Sequence, residues 1–290
     1  VDVADVELAG RITGPIGDPN FFGQILAAAL PIAIYRILDE RKLFARLASV
    51  AMALILAFAI FSTYSRGAFL GMMAVLLLIA LERKVSFSLL AIMGIAGSLL
   101  IAVLPTGYTE RIQTIVALNP ADETAVQSEG SFKGRLSEMQ AGLLMFVEHP
   151  VLGVGAGNYM NHYQRYASRI GLEDRITERK AHSIYVEILA ESGLAGIISF
   201  GAMFFSLFAG LSAARRKLRR IDGNTYNSNW LMSLQMSLTS YLLTSLFLHG
   251  DFIRYLWMLV ALGVAILRIT DKMPDAGAAA TTPLKETVTV

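Results

Sequence analysis

The 290-residue chain contains no cysteine, which excludes disulfides, iron–sulfur clusters and thiolate chemistry. Charge is also scarce. Only 17% of residues are Asp, Glu, Lys or Arg, where a soluble domain averages about a quarter. The net charge of +2 points to no particular partner, because the distribution of charge matters more than its total. We expect no nucleic-acid partner. There is no HExxH, no paired cysteine and no Asp-x-Asp run, so no metal site or cofactor is expected. No basic segment followed by an apolar core leads the chain, which begins at Val1. We therefore expect no signal peptide, and we expect further membrane helices upstream.

What the chain has instead is long apolar runs. Hydrophobic residues make up 54% of it, and several runs approach the ~20 residues that a spanning helix needs. This patterning predicts an all-α polytopic integral membrane protein. About seven spans are expected, near 21–38, 44–62, 67–81, 87–104, 183–211, 229–248 and 252–267. Pro31 should kink the first. The chain divides into a membrane part over 1–104, a long polar loop over 105–181, a second membrane part over 182–268 and a disordered tail over 269–290.

Lys and Arg in the short loops set the orientation. Arg36, Arg41, Lys42 and Arg46, then Arg83 and Lys84, then Arg215, Arg216, Lys217, Arg219 and Arg220 fall in alternate connections. That side is read as cytoplasmic. The long loop, Arg66, Arg254 and all four histidines (His149, His162, His182 and His249) then share the outer face.

Five stretches carry candidate chemistry. In "SRGAFLG", Arg66 stands at a joint between two apolar runs, as either a functional cation or a snorkelling anchor. "GDPNFFG" reads as a helix start with Asn20 as its cap. "GRLSEMQAGLLMFVEHPVLGVGAGNY" opens with a stripe of Leu136, Met139, Leu143, Leu144 and Val147 at helical spacing. It predicts an amphipathic helix on the membrane surface or against the bundle. Gly153, Gly155 and Gly157 follow, as an anion cradle or, more simply, as close packing. In "AHSIYVEILAESGLAG", His182 stands where loop meets membrane, and Glu187 and Glu191 share one helix face. The 100° step per residue puts His182 and Glu187 well apart on that helix, so a dyad within it is not expected. The two carboxylates should meet basic groups elsewhere. By itself His182 reads equally as a helix cap or an interfacial residue. His249, Asp251 and Arg254 form a polar turn in "LHGDFIRYLW", whose bland reading is a capped hairpin with an aromatic belt.

"SRGAFLG", "GRLSEMQAGLLMFVEHPVLGVGAGNY" and "AHSIYVEILAESGLAG", in this order and spacing, together with "GDPNFFG", resemble the O-antigen ligase and polymerase family of bacterial membrane proteins over roughly residues 10–265. The resemblance implies a metal-independent glycosyltransferase in the inner membrane with its site facing the periplasm. The donor would be a glycan on undecaprenyl diphosphate, and the acceptor a lipid A-core sugar or another glycan, as in lipopolysaccharide or exopolysaccharide synthesis. It assigns the loop-end histidine to His182 and the arginines that hold the donor diphosphate to Arg66 and Arg135. Glu187, Glu191 and Arg254 are secondary candidates. The chemistry is suited to these residue types: arginine offers a fixed fork for phosphate oxygens, and histidine exchanges protons near neutral pH. The rival readings are a transporter of a small anion such as bicarbonate, as some relatives have been described, and a non-catalytic scaffold for glycan assembly.

Overall fold

The computed structural model describes residues 11–85, 123–171, 179–222, 225–250 and 253–273. Among these residues the secondary structure is helical, with no strand. After a 3₁₀ turn at Gly14–Ile16 come α1 (Pro19–Asp39), α2 (Leu43–Ser62), α3 (Arg66–Glu82), α4 (Glu123–Glu148), α5 (Tyr159–Ile170), α6 (Ile184–Asp222), α7 (Thr225–Thr244) and α8 (Arg254–Asp271). The span expected over 87–104, the loop residues 105–122, Asp251 and the tail from 274 lie outside the described residues.

Three described helices are long and apolar enough to cross a membrane: α1, α2 and the Ile184–Arg220 part of α6. They use their surfaces differently. Half of the apolar window of α1 is buried, against 6% for α2. Phe44, Leu47, Leu54, Ile55 and Phe58 of α2 all face outward, as suits a helix whose solvent is lipid.

The centre of the bundle is the pair α1 and α7, and it is held by small and polar groups. Ser233, Ser237, Ser240 and Thr244 are buried along α7. Gln24 of α1 donates to the Ser245 hydroxyl at 2.9 Å and to the Tyr241 carbonyl at 3.3 Å. A Cβ added to Gly71 of α3 would overlap Thr244. Small residues let helices approach closely where burying apolar surface gains nothing over lipid. The serine content also explains why α7, although central, is not apolar enough to qualify as a span. It begins four residues before the expected 229.

The start of α1 corrects one expectation. Asp18, not Asn20, is its N-cap, accepting from the amides of Asn20 at 2.7 Å and Phe21 at 3.1 Å. Pro19 at the first helical position loses no bond there. The Asn20 side chain accepts instead from Arg11, which also donates to the Thr63 carbonyl.

The outer segment is joined to the bundle through a break in α6. Gly193 has φ 61° and ψ −154°, a region that is essentially glycine's alone. The break releases backbone groups on both sides. The amides of Val154 and Gly155 donate to the carbonyls of Ala190 and Glu191, and those of Leu194 and Ala195 donate to Pro150 and Val151. The turn after α4 thus fills the gap in α6. A Cβ on Gly153 or Gly193 would strike backbone at 2.3 Å or 2.6 Å.

Helix α4 packs on the first segment of α6 and on α5, and it does so by its small face, so of the two expected uses of the apolar stripe the one against the bundle is set aside. Gly134, Ser137, Glu138, Ala141, Gly142 and Met145 turn inward, while Met139, Leu143 and Val147 stay exposed. The small face wins because it admits Val186 and Tyr159 against Gly142. Glu148 at the end of α4 clamps α5, accepting from Tyr166 at 2.7 Å and Arg169 at 2.5 Å. Those bonds, the one from Tyr166 first, hold its carboxyl below the usual carboxylate range.

Two outcomes follow. Gly193→Ala should destabilise the detergent-solubilised protein by more than about 3 kcal/mol, combining a forbidden conformation with a backbone clash. Gly201→Ala, where a Cβ meets nothing within 4 Å, should change stability by at most about 1 kcal/mol; equal thermal midpoints for the two variants would refute the break. The lowered carboxyl of Glu148 means its clamp is complete above the ordinary carboxylate range and is lost as pH falls through the lowered value. Glu148→Gln should reproduce the acid effect at pH ~7, seen as faster proteolysis within 159–171, and an unchanged rate would count against the clamp.

Candidate functional site

The two ends of the bundle differ in chemistry. At one, Glu82 lies 2.6 Å from Arg215 and 2.9 Å from Arg83. Tyr35 donates to the same carboxylate, and Asn229 donates to Asp39. At the other end stand Asp18, Arg66, His182 and His249.

His182 is fixed from both directions along the chain. Two residues later, the Ile184 amide donates to the carbonyls of Leu248 at 2.8 Å and Ser245 at 3.1 Å. The first turn of α6 thereby satisfies its open amides on the end of α7. Tyr185 adds a bond from its hydroxyl to the Leu242 carbonyl. His182 itself has φ 43°, a left-handed conformation uncommon outside glycine. It is neither the first residue of α6 nor a side-chain cap for it.

The imidazole then meets a carboxylate that the sequence reading missed. Nδ1 of His182 lies 2.7 Å from Oε2 of Glu138. The other carboxylate oxygen, Oε1, accepts from Arg179 at 2.9 Å. Glu138 is wholly buried, whereas the His182 side chain is 37% exposed. The Lys180 carbonyl is the second neighbour of Nδ1, at 3.3 Å. Both neighbours are acceptors, so the proton of a neutral ring is assigned to Nδ1, leaving the lone pair on Nε2. The aligned hydrogen bond of Nδ1 goes to the Lys180 carbonyl, and Oε2 of Glu138 stands at ion-pair distance without an aligned donor. A buried carboxylate beside a partly exposed imidazole is an arrangement able to take a proton from a hydroxyl.

Glu138 is held by its own surroundings. Its backbone carbonyl accepts from the Tyr159 hydroxyl at 2.5 Å. Burial, and next the charge of Glu138, push that phenol above its ordinary range, so it stays a neutral donor. Beside the imidazole, the ring of His249 stands edge-on at 5.5 Å, with Phe21 a further 4.9 Å away. The start of α1, the α7–α8 turn, α6 and α4 therefore converge on one group of side chains.

The other candidates separate. Glu187 and Glu191, which the sequence pairs with basic groups, each accept from backbone amides. Glu187 accepts from Gly250 at 2.7 Å. Glu191 accepts from Gly157 at 2.8 Å and Tyr159 at 3.0 Å, at the start of α5. The Gly153–Gly157 turn is packing, because its amides at 154, 155 and 157 are already bonded within the protein. Arg66 is exposed at the first position of α3, next to Gly67, whose backbone packs on Phe247 two residues before His249. Arg135 is exposed one turn before Glu138. Arg254 is exposed at the start of α8, its guanidinium 5.3 Å from the Tyr255 ring. Among the described residues, no group of three or more His, Asp or Glu could hold a metal ion.

Glu138 was hidden in the sequence because it interrupts the wrong stripe. It lies beside the large apolar positions of α4 and looks like a polar-face residue until the helix is seen to pack by its small side. Arg179 left no sequence signal.

No curated protein matches the chain. A family model described as O-Antigen ligase matches residues 51–201, just over half of the chain and a span that includes α3, the break in α6, Glu138 and His182. The chain belongs to the O-antigen ligase family.

Proposed function

We propose that this membrane protein transfers or polymerises a glycan carried on undecaprenyl diphosphate at the periplasmic face of the inner membrane, without a metal. The observation that carries the reading is the pairing of exposed His182 with buried Glu138. Nε2 of His182 takes the proton of an acceptor hydroxyl as its oxygen bonds to the anomeric carbon of the donor sugar. The bond from that carbon to the carrier phosphate breaks, and the electron pair leaves with the diphosphate. Glu138 fixes the ring and stabilises the charge it gains, as a carboxylate does for a base histidine. The acceptor is a lipid A-core sugar or a second carrier-linked glycan.

Arg66 and Arg135 stabilise the leaving diphosphate, where fixed cations act strongly. Helix lengths support this for Arg66. Glu82 and Arg215 are bonded and so share a depth. From there α3 rises about 24 Å to Arg66, while α6 rises about 32 Å to Leu194, at 1.5 Å per residue. Arg66 thus lies roughly 8 Å below the break in α6, for helices of similar tilt. An arginine recessed from the outer boundary is costly unless it has a function, and its long side chain can extend up towards a phosphate at the interface. We further propose that α3, α7 and α8 cross the membrane and that the basic end with Arg215 is cytoplasmic, giving the seven spans with the one over 87–104.

In a strain lacking the gene, complemented at matched protein levels, His182→Ala should reduce surface glycan formation by about 10²- to 10⁴-fold. Glu138→Gln should cause a smaller loss with a displaced pH profile. Normal glycan from His182→Ala would overturn the assignment. Accumulation of full-length carrier-linked polymer marks a ligase, and of single carrier-linked repeats a polymerase. Arg66→Lys should also impair transfer, because lysine lacks the two-pronged contact; near wild-type transfer in that variant would remove the diphosphate role.

A further inference from the structure

The face that α4 leaves outward is the wrong one for water. Its small residues are buried, while Met139, Leu143 and Val147, at i, i+4 and i+8, are 43%, 44% and 68% exposed. The turn that follows adds Val151 at 64% and Leu152 at 71%. Exposing five large apolar side chains to water forfeits about 1.5–3 kcal/mol for each that could be buried. Exposed apolar surface of this extent marks a contact.

The neighbouring helix identifies the contact as lipid. Between Leu194 and Ala214, α6 carries no charged residue, and Arg215 begins its basic run. These 21 residues are about 32 Å long, close to the roughly 30 Å of a bilayer's hydrocarbon. Leu194 therefore marks the outer boundary. The amides of Leu194 and Ala195 are bonded to the carbonyls of Pro150 and Val151, which places the exposed turn at that same depth. Leu194, Ile198 and Phe205 of α6 are themselves exposed, so the apolar surface of the turn continues a lipid-facing helix. Lys133, Arg135, Glu148 and His149 are exposed around the two ends of the stripe, as suits an element lying among headgroups.

We propose that α4 and the turn after it dock into the outer leaflet, with Met139, Leu143, Val147, Val151 and Leu152 in the hydrocarbon edge. Glu138 then faces inward at the depth of the lipid headgroups, and a lipid-linked molecule reaches the site laterally rather than from bulk water. The docking stands on the apolar surface alone and does not require His182 to be a base.

The absence of cysteine from the 290 residues allows single nitroxide labels to be placed within them. Leu143→Cys, Val147→Cys and Leu152→Cys would be labelled in nanodiscs of phosphatidylethanolamine and phosphatidylglycerol, each holding one copy. Phe205→Cys serves as the lipid reference and Ser168→Cys, on α5, as the outer-loop reference. Collisions with oxygen and with a water-soluble nickel chelate are compared by power-saturation EPR. At 143, 147 and 152 oxygen should dominate several-fold, as at 205, with the opposite at 168. Nickel dominance at 143 and 152 overturns the proposal, and so does shielding from both reagents, which would mean that protein covers the stripe. Three label positions keep the test open if one variant misfolds. Loss of glycan transfer in His182→Ala neither supports nor weakens this result.

Discussion

A membrane helix that loses its regular hydrogen bonds must find replacements, since lipid offers none. In α6 the replacements come from the Pro150–Gly155 turn, whose carbonyls and amides occupy the places left open around Gly193. Much of the outer architecture rests on this exchange. It seats the C-terminal end of α4 against α6, and α4 in turn carries Glu138 to His182. Glu191, just before the break, holds the amides that begin α5. The residues that looked most like candidates for chemistry from their placement in an apolar run, Glu187 and Glu191, are thus part of the joinery.

Polar groups divide the labour along the bundle. Gln24 and the α7 serines tie helices together at close range. At the basic end, Glu82 gathers Tyr35, Arg83 and Arg215, so α1, α3 and α6 are tied together at one level. At the opposite end the polar groups are left facing outward: His182 is more than a third exposed although its carboxylate partner is sealed. The proposal of a base histidine rests on that asymmetry of burial.

The membrane gives the same arrangement its direction. In the proposed crossing of α3, Arg66 at the start of that short helix lies deeper than the break in α6. Arg135 lies on the stripe that α4 turns to the lipid, four residues before Met139. In the proposed arrangement the two cations and the histidine serve a substrate whose anionic part sits at the interface and whose anchor remains in the bilayer.

Composition and periodicity alone determined the helical membrane class, and the order of the motifs determined the family. These are legible because hydrophobic period and turn residues are local properties. His182, Arg66 and Arg135 were likewise named as candidates before any packing was known. Three things were decided only by tertiary structure. Glu138 became the partner of His182 because α4 packs by its small face, which sequence hydrophobicity ranks below the face with Met139, Leu143 and Val147. Asp18 is the cap because the helix starts at Pro19, which puts Asn20 inside it with its side chain accepting from Arg11. The break in α6 reads in sequence only as a glycine; its meaning depends on a turn some forty residues earlier being there to fill it.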